Sequence, residues 1–440
     1  MTRSVTSPRF GAAHALAMGY DPERYFRRRA NEGETFAVGL PGLGEVLFAS
    51  TAAGVREIFG APATLFSPPT PNPIAPLVGD GSLILLSGER HRRERTLLMP
   101  SFHGERMRAY ADVMAHAAAE EIESWRPGAD IAVRAAAQSI TLHIIIRTVF
   151  GVSDRARRDE YERVITALMQ SYIAPLMFVP ALRREVVGLG PWARFVRLRA
   201  QFDALLSEQI AERRRTGVDG YDDVLSLLLS ATYEDGTSLS DEDLRQELRT
   251  LLVAGHETTA TSLAWAMYHI HHDDGVRERL VAELAADHSP ADVAKLPYLN
   301  AICQETLRMH PTVSIVLRRL NGPLTIRGVQ RSEGDVVGVA VPALHFDPKV
   351  FPEPDTFDPD RFLLRKPTPF EFTPFGGGHR RCVGAAFANF ELAVVLATIV
   401  RGAELDMSAA ERRKGQPRSV PRGIAVLPSR EIVLRRLRRS

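Results

Sequence analysis

The stretch "FGGGHRRCVG", residues 375–384, sets a cysteine behind three glycines and two arginines. An apolar helical run, "AAFANFELAVVLATIV", begins just after it, so Cys382 lies at the positive end of a helix dipole. The arginines add to that field, and the glycines let the backbone come close and donate N–H groups to sulfur; both effects favour thiolate over thiol. By residue type alone, such a cysteine is a packed core residue, a nucleophile or a metal ligand, the first being the commonest. A nucleophile wants a base, and His379 is near only in sequence. A zinc site wants further cysteines at close spacing, and the chain has just one other, Cys303.

Three more groups carry chemical potential. "AGHETT" interrupts a helical run with a glycine, a charge and two threonines, which is a poor helix interior; the plain reading is a kink with a solvated notch. Glu305 and Arg308 in "QETLRMHP" share a helix face, and in isolation such a pair is an exposed ion pair of little worth. "GERHRRERTLLMPSF" concentrates cations, each of which is by itself a solvated surface residue.

A single thiolate at an open helix N-terminus suits an axial bond to haem iron. At this point Phe375-x-x-Gly378-x-x-x-Cys382-x-Gly384 resembles the haem-binding loop of the cytochromes P450, the haem-thiolate monooxygenases. The resemblance extends from about residue 20 to the final strand. It implies that Cys382 is the axial ligand of haem b, with Phe375 on the same loop. It implies that Glu305, Arg308 and Arg361 of "PDRF" form a structural triad beneath the cofactor. Ala254, Glu257 and Thr258 map onto the family's oxygen-binding groove, where the acid and the alcohol deliver protons to dioxygen. His91, Arg95, Arg318 and Arg380 match the cations that meet the haem propionates.

The elements that must hold these residues read as mostly helical, near 103–126, 134–150, 155–172, 192–215, 240–272, 295–309 and 383–401. Ser240, three before Asp243, makes a capping box at the start of the 240–272 helix. "TFAVGLPGLGEVLFAS" reads as a hairpin around Pro-Gly, and "LTIRGVQRSEGDVVGVAV" as another turning near Ser332–Gly334. The Pro-rich run after 340 reads as loop. With no repeat, linker or composition shift, the expected fold is mainly α with small β sheets. The resemblance makes this the single-domain triangular P450 fold over 1–440, with a loose lead at 1–20.

Composition bounds the function. Lys and Arg number 55 against 53 Asp and Glu, giving net charge +2, which excludes a general nucleic-acid binder. Two cysteines are no disulfide framework and suit a reducing cytoplasm. No signal peptide or membrane anchor is read, so the protein is expected to be cytoplasmic.

The function implied is insertion of one oxygen atom of dioxygen into a hydrophobic substrate such as a fatty acid, terpenoid or polyketide. Without a flavin or iron–sulfur segment, electrons are expected from a ferredoxin or flavodoxin with its reductase, docked against Arg92, Arg93 and Arg381. A peroxide-driven peroxygenase and a haem-based sensor are the competing readings; the Glu257–Thr258 pair argues against the first, and the lack of an output domain against the second. Segments 62–86 and 168–190 and Val313–Val316 are expected to wall the substrate pocket. Cys303 reads as core, His269, His271 and His272 as a solvated helix end, and "RRLRRS" as a solvated tail.

Overall fold

The computed structural model describes residues 11–184, 188–423 and 425–437. Every expected helix forms within a few residues of its sequence limits. Five helices position the site, the first of them outside the ranges read from helical periodicity: α1 (Gly88–Leu98), α2 (Val133–Thr148), α3 (Asp241–His272), α4 (Pro297–Met309) and α5 (Ala385–Gly402). α2, "VRAAAQSITLHIIIRT", is apolar nearly all round and is therefore buried on most sides, packed lengthwise on α3. α5 is the one described helix long and apolar enough to cross a membrane, but it lies in the core between α3 and the Arg106–Ser124 helix. Trp265, Tyr161 and Phe202 are among the side chains almost fully withdrawn from water. Large apolar groups of this kind contribute about 1.5–3 kcal/mol each.

The main sheet has five strands: β1 (Thr35–Leu40), β2 (Gly44–Ala49), β3 (Phe66–Ser67), β4 (Ile315–Leu320) and β5 (Val336–Ala340), in spatial order β1-β2-β5-β4-β3. β1 and β2 form the expected hairpin, pairing Thr35 with Ala49. The second hairpin differs from expectation. Leu324–Ile326 pairs with Val329–Arg331 around Arg327–Gly328, both at positive φ, and the turn at Ser332–Gly334 instead leads into β5. β5 inserts between β2 and β4, parallel to the first and antiparallel to the second.

Three other readings are corrected. Residues 11–20 are not a loose lead but a helix; the first ten residues lie outside the described ones. Arg435 and Arg436 belong to a strand, Val433–Arg436, rather than a tail, and Arg435 pairs with Asp130 at 2.9 Å; residues 438–440 lie outside the described ones. His269 and His271 are buried, because α3 continues through the core to its last turn. His269 Nε2 meets His310 Nε2 at 2.8 Å, an apposition that requires one ring to donate and the other to accept.

Candidate functional site

The Cys382 loop closes on itself. Its backbone N–H donates to the Phe375 carbonyl at 3.0 Å, and its sulfur accepts the backbone N–H of Gly384, the residue that caps α5. Gly376 and Gly378 hold positive φ, which the reversal of the chain needs. Gly377 has a different reason from the one the sequence suggests. A Cβ there would stand 2.1 Å from the Phe59 ring, so this glycine admits the Ala52–Phe59 helix rather than a flat partner.

The two cysteines occupy opposite environments. Cys303 is 2% exposed in the core, where burial pushes its thiol up to about 12. Cys382 is accessible although protein surrounds most of it. Burial is the largest influence there and raises its pKa, against the sequence expectation, while the Gly384 N–H, Arg381 and Arg95 pull it down. Of the two, only Cys382 has cations near its sulfur.

Above that loop the structure gathers five basic side chains: His91 and Arg95 from α1, Arg318 from β4, and His379 and Arg380 from the loop. Arg318 and Arg380 donate only to backbone carbonyls, of Leu317 and of Ile84 and Leu86 respectively. Among the described residues no carboxylate pairs with Arg95, Arg318 or Arg380, and Arg380 Nε is buried without a partner. Burial, then Arg380, lowers the pKa of Arg318; burial, then Arg95, lowers that of Arg380. The guanidiniums nevertheless stay charged, so their mutual repulsion is unrelieved. Burial and these cations hold both His91 and His379 down to about 4, so both rings are neutral at pH 7. His379, which the sequence reading set aside, stacks on Phe66 with centroids 5.9 Å apart and meets His91 edge-on.

Across the site runs α3, capped as expected by Ser240, whose Oγ accepts the Asp243 N–H at 3.1 Å. The helix is continuous from Asp241 to His272, so the expected notch does not break it. Its face is open at Ala254, although Val253 and His256 beside it are buried. Thr258 Oγ1 donates to the Ala254 carbonyl at 2.6 Å. Glu257 points elsewhere: both its oxygens accept from Gln138 Nε2 of α2, at 3.1 and 2.9 Å. The structure thus separates the acid from the alcohol and assigns Gln138 to holding the acid. No motif flags Gln138, because its partner is 119 positions away.

A buried triad fixes the chain behind the cysteine. Glu305 Oε1 accepts from Arg308 Nη2 (2.7 Å), Arg361 Nε (3.0 Å) and the Asp358 N–H (2.9 Å), and Oε2 from Arg308 Nε (2.7 Å). Arg308 also donates to the His345 and Pro354 carbonyls, and Arg361 to that of Pro352. His345 Nδ1 meets the Arg308 carbonyl at 3.1 Å and its Nε2 accepts the Thr373 N–H at 2.9 Å. The path from α4 to the Cys382 loop is therefore hydrogen-bonded throughout, since Gly376 N–H donates to Thr373 O.

The expected substrate walls are divided. Tyr172 and Leu176 point inward, whereas Phe178, Val179 and Leu182 face solvent. A groove of about 880 Å³ near Arg24, Arg27 and Asp347 includes none of the site residues.

Comparison with known proteins places this geometry. The family model described as Cytochrome P450 matches residues 5–435. Cytochrome P450 138 of Mycobacterium tuberculosis is 35% identical over 421 residues, covering 94% of this chain and 91% of that protein. Cytochrome P450 135B1 of the same species is 35% identical over 387 residues, covering 87% and 81%. Among solved structures, the heme domain of cytochrome P450DA superposes with TM-score 0.84 at 26% identity, covering 98% of this chain and 96% of that one. The retinoic acid-bound cyanobacterial CYP120A1 superposes at 0.80 with 24% identity, covering 94% and 93%.

Proposed function

The chain belongs to the cytochrome P450 family of haem-thiolate monooxygenases, and on that premise we propose that Cys382 is its thiolate ligand and an apolar molecule its substrate. The observation that carries the assignment is the pairing of one accessible, N–H-bonded sulfur with a cation cluster lacking a carboxylate. The residues fit a haem: its propionates would relieve the repulsion among Arg95, Arg318 and Arg380, with His91 beside them. When bound, that cofactor supplies the redox chemistry by which dioxygen is activated, and the thiolate tunes it electronically. Electrons and dioxygen come from outside the chain. Turnover with a surrogate ferredoxin, its reductase and NADPH tests the reading, since a sensor would yield no product.

The protein's own part in the reaction lies on α3. With its proton on the Ala254 carbonyl, the Thr258 hydroxyl keeps lone pairs free to accept from a water at the open face. Glu257 is held by Gln138 on the α2 side of the helix, away from the Thr258 hydroxyl, so the two residues act through intervening water. Thr258→Ala is expected to keep consuming NADPH while product per NADPH falls about tenfold, the balance leaving as hydrogen peroxide. Glu257→Gln is expected to slow turnover about a hundredfold, because an amide cannot pass the proton on. Normal coupling and rate in both variants would refute the relay. The presence of this pair supports dioxygen rather than peroxide as oxidant.

For the electron donor we favour an acidic ferredoxin or flavodoxin on the Cys382 side, in the cytoplasm. The cations available there are fewer than the sequence suggests. Arg92 is held by Glu89 and Arg93 by Asp235, which leaves Arg381 exposed and without an ion pair among the described residues. Arg381→Glu is expected to slow reduction about tenfold at low ionic strength, with the gap closing as salt rises. An unchanged rate at low salt would move the docking site elsewhere.

A further inference from the structure

Five basic side chains meet above the Cys382 loop, and His91, Arg95, Arg318 and Arg380 already have a role there. His379 has none. It stands in the middle of the short turn Gly378–Arg380, and both of its neighbours are fixed. A Cβ on Gly378 would stand 2.6 Å from the Phe59 carbonyl, so the chain has little freedom as it passes the Ala52–Phe59 helix. Arg380 is held on the other side, where it donates to the Ile84 and Leu86 carbonyls. The His379 ring is held as well. It stacks on Phe66 of β3, with centroids 5.9 Å apart and an interplanar angle of 19°, and meets the His91 ring at 87°. A half-buried polar ring set this firmly calls for a hydrogen-bond partner, and neither of its nitrogens has one among the described residues.

The charged groups facing the ring are Arg318 from β4, Arg380 from its own turn and Arg95 from α1, with no carboxylate among them. Burial, then those cations, keep the imidazole neutral at pH 7, so one nitrogen carries a proton and the ring adds no charge. That combination suits the cluster. Its guanidiniums already supply the positive charge that propionates require, so a further cation would add repulsion where an uncharged N–H adds a bond. We propose that His379 is a further cofactor-anchoring residue, its ring N–H donating to a propionate oxygen while Phe66 and His91 set the angle of the ring. Hydrogen bonds to a charged oxygen are the stronger kind, so a single donor counts. The role rests on the haem reading given above. In the plainer alternative, His379 only fills space between Phe66 and His91.

The test follows haem transfer from the holoenzyme to excess apomyoglobin by absorbance at neutral pH. His379→Phe keeps an aromatic ring against Phe66 but has no N–H, and should lose haem about tenfold faster than wild type. His379→Gln gives up the aromatic stack but keeps an N–H, and should stay within about twofold of wild type. The propionate bending band of the resonance Raman spectrum should shift in the first variant and hold in the second, which a space-filling role does not produce. His379→Leu replaces the phenylalanine variant if that one fails to fold, with the same expected loss. Haem loss at the wild-type rate from the folded His379→Phe or His379→Leu protein overturns the proposal. So does a glutamine variant that loses haem as fast as the phenylalanine one. A wild type whose reduced carbon-monoxide complex lacks the thiolate Soret band overturns the haem reading itself, and this role with it.

Discussion

Glu305→Ala is expected to cost about 3–5 kcal/mol of stability, because it leaves the buried Arg308 guanidinium without its counter-charge and Arg361 with only Asp358, 3.8 Å away. Glu305 and Arg308 are 0% exposed, and Arg361 is mostly covered. Water cannot take the place of the lost carboxylate, and four hydrogen bonds vanish together. The damage is directional. Arg308 and Arg361 gather the carbonyls of Pro352, Pro354 and Thr356, and His345 carries the same network to Thr373. A variant that still folds should therefore lose order in the 352–376 segment first, readable as faster amide exchange there, and retain the cofactor poorly. Replacing Glu305 and Arg308 together by leucines should cost less than Glu305→Ala alone, since no charge of that pair is then stranded. Equal thermal midpoints for wild type and Glu305→Ala would show that the triad contributes nothing.

Much of this arrangement was legible in the sequence because its signals are local. The glycine loop, Glu305-x-x-Arg308 and the Ser240 cap each fall within ten residues, and long helices announce themselves by period. What stayed hidden depends on partners far along the chain. Gln138 looks like any helix glutamine until α2 packs on α3 and brings Glu257 to it. His269 reads as polar and hence solvated, yet it is buried against His310 and Phe357. The hairpin at Arg327–Gly328 was missed because an arginine at positive φ carries no turn signature. Gly377 was noticed for the wrong cause, since Phe59 is over three hundred positions away.

The largest effect on activity is expected at Cys382. Serine or histidine in its place keeps the loop, the Phe375 carbonyl contact and the cation cluster, so the fold should survive. Product formation should nevertheless fall by at least about a thousandfold, the scale of loss when a group that carries the chemistry is removed. Cys303→Ser is the matched control. It removes a thiol from the packed core, where burial keeps it protonated, and should lower stability without touching the reaction. The measurement that separates the two cysteines most directly is the absorption spectrum of the reduced carbon-monoxide complex. The red-shifted Soret band of a thiolate-ligated haem should be present in wild type and Cys303→Ser, and absent in Cys382→His. A band kept by Cys382→His and lost by Cys303→Ser would contradict the assignment of Cys382.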